Sequence, residues 1–479
     1  SRRRAPAQKC ARAAAPCGRW PRAAAKGRGG VMGCGLAKHP EVQEVLGVRR
    51  KLSVGSVEDG DSAGKDTDAN DGADDRSLLM QLNADELLDY VGGEGRKYSI
   101  SSETDRALQR ANSFSSKSTV FTGNAGKLDV QKECIGYTCK KGLKPEAPNQ
   151  DSFFICKVDG CYSIYGVFDG HGKKGHDVSN FVKEYLPKVL LGQEDILNDP
   201  ITALQNAFET TQRLIEQATN VSRIDASRSG TTASVVLHDH RKGVLYTAHV
   251  GDSRVVLAKK KPETESLQAV DLTEDHKPNL PAEKARIEQN GGQVRFDGGY
   301  NYRVYAKGKR YPGLNMSRAM GDLLGFHDAG ISAVPDVCHK HIRSTSKEQL
   351  PSPRPRAARD LSPSRHLDRG GMERRPSHNS TSSGSCAPTM SSLSIDPATD
   401  KFVLLCSDGV WEFLSSEEAV QIVSQFETAE AMAASEHLAT ESWDRWMHYM
   451  QGEVVDDITA LVVHLSASAD AQPARKPVL

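Results

Sequence analysis

No run of about eighteen consecutive apolar residues occurs in this chain of 479, so it contains no candidate membrane-spanning helix. An excess charge of either sign is also missing. Sixty-two Lys and Arg balance sixty-two Asp and Glu, which gives no support for a generally nucleic-acid-binding protein. No Cys-x-x-Cys pair is present. Ten cysteines scattered over this length are no disulfide framework and read as reduced, mostly buried thiols of a cytoplasmic protein. Aromatic residues are scarce at 6%, and the mean hydropathy of −0.52 is polar. Substantial stretches are therefore expected to stay unfolded beside a packed core. Internal repeats are absent.

What is there divides into segments. Residues 1–31 are rich in Arg and Ala and contain no acid, and no alanine run is longer than Ala13 to Ala15. A transit peptide and sequence upstream of a start at Met32 both fit; we take the second reading. Met32-Gly33-Cys34 then opens a lipidation signal, with Gly33 for myristate and Cys34 for palmitate, although Ala37 stands where Ser or Thr is preferred. The expectation is peripheral membrane association of an otherwise cytoplasmic protein. Residues 32–143 read as largely disordered, with an acidic Gly- and Ser-rich stretch at 51–75 and one short helix around Leu78 to Val91. Residues 144–342 and 400–466 read as two parts of one folded domain. Between them, 343–399 is a Ser-, Pro- and Arg-rich insert with too few apolar residues to fold, and 467–479 is a tail.

Inside the domain, Phe153 to Val158 and Cys161 to Phe168 flank Asp159-Gly160, a hairpin signal. Ser234 to Leu237, Val244 to Val250, Arg254 to Ala258, Lys401 to Cys406 and Ile458 to Leu465 read as further antiparallel strands. Helical spacing appears at Val178 to Leu186 and at Ile201 to Ile215, the latter capped by Asp199 and opened by Pro200. A capping box, Ser415 to Glu418, opens a third helix. Pro281 to Asn290 is a fourth, stopped by Gly291-Gly292. The pattern is α+β.

The informative acids sit at strand ends. Asp169 and Asp408 each follow a strand, and Asp456 precedes one. In an antiparallel sheet such positions share an edge. Carboxylates gathered there repel one another unless cations neutralise them, and oxygen ligands suit Mg²⁺ or Mn²⁺ rather than zinc. Taken singly, Asp169-Gly170, Asp408-Gly409 or Gly251-Asp252 would be no more than a turn.

The ordered set carries more. Asn149-Gln150-Asp151, Gly166 to Gly172 (GVFDGHG), Ser229 to Ala233 (SGTTA), Gly251 to Arg254 (GDSR), Asp275 to Pro278 (DHKP), Ser317 to Asp322 (SRAMGD), Ser407 to Glu412 (SDGVWE) and Asp456 to Thr459 (DDIT) follow in order. This set resembles the metal-dependent serine/threonine protein phosphatases of type 2C, from Lys144 to Leu465 apart from the insert. The resemblance implies a four-layer αββα sandwich, two antiparallel sheets flanked by helices, hydrolysing phosphoserine and phosphothreonine in proteins as a monomer.

It also implies roles. Two Mg²⁺ or Mn²⁺ ions per chain would be held by Asp169, the Gly170 carbonyl, Asp408 and Asp456, with a hydroxide bridging them as nucleophile. Asp151 would hold metal-bound water, and Asp252 with Asp408 and Glu412 a weaker third ion. Glu412 stands where many members have Asp, and Asp457 where Asn is common. His171 would protonate the departing oxygen, and Lys144 would contact the phosphate as a point charge. Asp322 reads as a structural or supporting acid and Ser317-Arg318 as scaffold. The stretch Asp297 to Tyr311 is expected to form a flap that influences substrate choice through Lys307, Lys309 and Arg310.

Rival readings are a phosphatase-shaped binding module that has lost catalysis, and a lipid-anchored scaffold. The first should show substituted carboxylates, yet Asp169, Asp408 and Asp456 are present. Cysteine-based phosphatase chemistry is excluded, because none of the ten cysteines has Arg six positions on.

Overall fold

The computed structural model describes residues 80–90, 96–104, 117–123, 130–144, 147–193, 196–298, 301–338 and 393–465. The leader, the Gly33-Cys34 signal, the acidic stretch at 51–75, most of the insert and the tail lie outside the described residues.

Strand residues alternate between two packing partners, and this alternation builds the core. In the strand Asp151–Val158, Phe153 and Ile155 face one cluster while Phe154, Cys156 and Val158 face another. In Asp400–Cys406, Val403 and Leu405 join Phe153 and Ile155, whereas Phe402, Leu404 and Cys406 turn to the opposite side. One cluster therefore lies between two sheets. Of the two others, one collects the helices Gly175–Leu191 and Pro200–Asn220, the other the helices Ser416–Val423 and Ala431–Tyr449.

The larger sheet runs in the order Asp336–Cys338, Val244–Val250, Ala233–Asp239, Tyr162–His171, Asp151–Val158, Lys97–Ser102, Thr119–Gly123. The second runs Leu267–Asp271, Arg254–Lys260, Asp400–Cys406, Ile458–His464, Ile135–Lys140. All these pairings are antiparallel. The Asp159-Gly160 hairpin forms as read, with Val158 opposite Tyr162. Asp199 caps its helix by accepting from the Thr202 amide, and the Ser415–Glu418 box closes in both directions.

Two boundaries need correction. The folded domain does not begin at Lys144: Ile135–Lys140 pairs with Ile458–His464, and Lys97–Ser102 pairs with Asp151–Val158. These strands are short and lie between polar linkers, so they carry little periodic signal of their own. The upstream helix is Ala84–Tyr90, with Leu87 and Leu88 buried in the core beside the Gly175–Leu191 helix. The insert also ends earlier than Thr399, because Leu393–Ser394 pairs with Val244–Val250 and Ile395 packs between the sheets.

Gly292–Phe296, Tyr302–Ala306 and Pro312–Leu314 make a separate three-stranded sheet over its own small core of Ile287, Val304, Ala306, Met316, Ala319, Ala329 and Ile331. Of the stretch Asp297 to Tyr311, expected above as a flap, Tyr302–Ala306 is the middle strand of this sheet.

Candidate active site

Strand register brings the acids to one edge. Asp151 opens its strand directly opposite Asp169, near the end of the neighbouring one. In the second sheet Cys406 is opposite both Arg254 and Ala460. Asp408 just after that strand, Asp252 just before Arg254 and Asp456 just before Ile458 are thereby collected at the same end. Gly409 is required at the turn, since a Cβ there would come within 2.0 Å of the Asp457 carbonyl oxygen. Trp411 and Trp446 pin the turn by donating to the carbonyls of Cys406 and Gly409 at 2.9 and 2.8 Å.

Burial and mutual repulsion dominate the electrostatics. Asp169 is pushed well above the usual carboxylate range by burial, then by the charges of Asp151, Asp408 and Asp456. Asp408 is pushed up by burial and by Asp456 and Asp252. Asp151, fully buried, rises to about 7 through burial and the charge of Asp457, against the opposing pull of Thr459 and Ser407. Those two hydroxyls donate to Asp151 Oδ2 at 2.7 and 2.8 Å, while Asp151 Oδ1 is buried without a partner. Asp457 is a strut: its two oxygens accept from the amides of Gly142 and Gln150 at 2.7 and 2.8 Å.

Lysines neutralise part of the cluster. Lys277 Nζ sits 2.6 Å from Asp252 Oδ2, and Asp252 Oδ1 is buried and unpartnered. Lys144, proposed above for phosphate, lies on Asp456. Burial lowers its affinity for a proton, but the charges of Asp456 and Asp457 outweigh that and raise its pKa. Lys117, from the upstream segment, donates to the Asp151 carbonyl at 2.5 Å.

His171 ends its strand with Nε2 2.6 Å from Asp322 Oδ2 and with Nδ1 buried and free of partners. Burial pulls its pKa down, Asp322 pulls it up, and the net direction is up. Asp322 holds its place in a left-handed turn (φ 46°), with its amide donating to the Ser229 carbonyl at 2.9 Å.

The structure thus brings Asp151, Asp169, Gly170, Asp252, Asp408, Asp456, Lys144 and His171 to one neighbourhood. Glu412 is exposed and lies one helical turn beyond Asp408, with its amide donating to the Asp408 carbonyl at 2.9 Å. Roles missed from the sequence belong to Lys117, Lys277, Ser407, Thr459 and the Thr232–Ser253 pair. Thr232 Oγ1 accepts from the Asp169 amide at 3.0 Å and lies 2.6 Å from Ser253 Oγ. All but Lys117 stand inside the quoted motifs beside an acid or one strand away, and that adjacency was the available signal.

Divalent cations fit this donor set. The oxygens are all carboxylate or carbonyl, two buried carboxylate oxygens lack partners, and the acids raise one another's pKa values. Among the described residues no three His, Cys, Asp or Glu side chains form a ready-made cation cage. Lys144 on Asp456 and Lys277 on Asp252 offset part of the mutual repulsion of the acids.

Comparison with known proteins gives one family. The model of the family described as "Protein phosphatase 2C" matches residues 149–350 and 359–447, which include every acid above except Asp456 and Asp457. The "Probable protein phosphatase 2C 34" of Arabidopsis thaliana is 31% identical over 342 residues, covering 67% of this chain and 78% of the relative. The "Probable protein phosphatase 2C 48" of Oryza sativa subsp. japonica is 31% identical over 338 residues, covering 65% and 79%. Among solved structures, the serine-threonine phosphatase 2C from Toxoplasma gondii superposes with a TM-score of 0.50 at 19% identity. It covers 69% of this chain and 94% of that one, a likeness of fold.

Proposed function

Since this chain belongs to the protein phosphatase 2C family and is a protein serine/threonine phosphatase, we propose that it hydrolyses phosphoserine and phosphothreonine at the acidic sheet edge with two divalent ions bound there. The observation that carries this reading is the convergence of Asp169, Asp408 and Asp456 from three separate strand ends. Asp169, Asp408, Asp456 and the Gly170 carbonyl would hold Mg²⁺ or Mn²⁺, and the unpartnered oxygens of Asp151 and Asp252 would serve bound water or a weaker third ion. When bound, such ions supply the positive charge that acidifies an attacking water and neutralises the phosphoryl oxygens.

The chain's own groups do the rest. Ser407 and Thr459 hold the Asp151 carboxylate in one orientation, and Asp457 locks the Gly142 and Gln150 backbone around it. Lys144, held on Asp456, adds a point charge at the same place. With Asp322 accepting from Nε2, the charged imidazolium of His171, favoured by its raised pKa, carries its second proton on Nδ1 and passes it to the departing serine or threonine oxygen. Acylation of Gly33 and Cys34 would add membrane association to an otherwise cytoplasmic, monomeric enzyme. Intact mass of the native protein tests that part.

For the catalytic reading the test is phosphate release from a phosphothreonine peptide with Mn²⁺, comparing wild type with Asp169→Asn. Loss of at least ~100-fold is expected from removing a metal-holding charge. Equal, slow release by both proteins would leave the binding-module reading in its place.

A further inference from the structure

The acids deal with the phosphoryl group, which every phosphoserine or phosphothreonine substrate shares. Discrimination must come from surfaces beside it. One such surface is basic and lies between the catalytic strand and the flap.

Arg228 is at its centre. Its backbone is clamped to the catalytic loop: Gly172 (φ +81°) packs so closely that a Cβ would lie 2.5 Å from the Arg228 carbonyl oxygen. His171 is the register partner of Gly230, and the Lys174 amide donates to Ser229 Oγ at 2.9 Å. The guanidinium reaches the other way, 5.8 Å from the ring centre of Tyr311 on the flap, whose hydroxyl donates to Asp328 at 2.8 Å. A ring contact of this kind orients the guanidinium and leaves its fork of donors open. Arg228 is exposed, and no carboxylate among the described residues pairs with it. Lys173 on the catalytic side and Lys309 and Arg310, just before Tyr311, are likewise exposed and unpaired among the described residues. Nearby acids are engaged: Asp328 by Tyr311, Asp177 by Lys174 at 3.6 Å, and Asp225 by the Ser227 amide at 3.1 Å.

We propose that Arg228, Lys173, Lys309 and Arg310 form a docking surface for acidic residues flanking the scissile phosphoserine or phosphothreonine, with the Arg228–Tyr311 contact joining its two halves. This rests on the phosphatase reading above and adds the substrate class. The chemistry matches: a guanidinium fork takes a carboxylate in two parallel hydrogen bonds, and clustered surface cations steer an acidic segment to the cleft.

The test uses the full chain with Mn²⁺ and two phosphothreonine peptides that differ only in carrying three Asp or three Ala beside the phosphothreonine. Phosphate release gives kcat/KM, and fluorescence anisotropy of the same labelled peptides gives Kd. Wild type is expected to favour the acidic peptide. Arg228→Glu should cut that preference about tenfold, mainly through KM, and Arg228→Gln by less. Both Kd values should follow the same order and weaken with added salt. A wild type that ranks the two peptides equally, or a preference untouched by Arg228→Glu, Arg228→Gln and a Lys309→Glu/Arg310→Glu double variant, overturns the inference. A protein that releases no phosphate from either peptide defeats the function reading alone, and anisotropy then decides the docking surface.

Discussion

His171 and Asp322, 151 positions apart in the chain, meet with Nε2 2.6 Å from Oδ2, and this contact engages one nitrogen of the imidazole. The aspartate occupies one edge of the ring; the other nitrogen, Nδ1, is buried without a partner. A histidine so held has one ring orientation.

Asp322→Asn should therefore lower kcat on phosphopeptides by about 10- to 100-fold, at or below the ~100-fold that loss of the proton donor itself would cost, because the imidazole remains. The defect should shrink with p-nitrophenyl phosphate, whose leaving group needs no proton. A rate loss equal for both substrates would show that Asp322 only supports the fold.

Asp457 joins Gly142 and Gln150 to the last strand through two amides. Asp457→Ala leaves both buried donors unsatisfied and should cost roughly 2–4 kcal/mol in denaturant unfolding. Asp457→Asn keeps one acceptor and should cost less than half of that. Equal midpoints for Asn and Ala would remove the strut from the account.

Acid should loosen the anchor of the helix Pro281–Gln289, whose Ile287 lies in the small core under the three-stranded sheet. Burial alone would raise the pKa of Glu283, but donors from Arg318, Arg286 and Ser317 bring it down to about 2 from an ordinary 4.5. The folded value lies below the unfolded one, so the stabilisation is complete above about pH 4.5 and disappears as pH falls toward 2. That is on the order of 3 kcal/mol. Glu283→Gln should flatten the stability–pH curve between those limits; a curve of unchanged slope would contradict it.

Residues 339–392 leave and return at almost one point. Cys338 pairs with Thr247 and Leu393 with Leu245, two positions apart on the same strand. About 7 Å separates such positions, so a short Gly-Ser linker should replace the segment with little change in melting temperature. Removing residues 1–134 instead takes away Lys97–Ser102 and Lys117 and should abolish soluble expression. Soluble, active protein from that truncation would move the boundary to Ile135, the first residue of the strand paired with Ile458–His464.

Phe153 is completely buried between the sheets, two residues from Asp151. Phe153→Ala should destabilise by about 3–5 kcal/mol. It should also reduce activity more than a substitution at Phe402, which packs on the far face of the second sheet.

Long apolar strands were legible because each is buried on both faces. Val244–Val250 was placed to the residue, and Arg254–Lys260 and Asp400–Cys406 to within two. Ala431–Tyr449 was missed. Its inner face is mostly Ala and Ser with Leu438 and Trp446, too small and diluted for the spacing to stand out. Lys97–Ser102 was missed for a different reason: tertiary pairing, rather than its own pattern, makes it a strand.

What the linear chain determined is the inventory: which acids exist, that each stands at a strand end, and the order that marks the family. Residue type and local periodicity are properties of short windows, so one dimension holds them. Which charge meets which was decided only by folding. Lys144 on Asp456, Lys277 on Asp252, Asp322 on His171 and Arg228 against Tyr311 are contacts between separate elements. Coulomb and hydrogen-bond energies fall away over a few ångströms, and sheet register, not sequence separation, sets those distances.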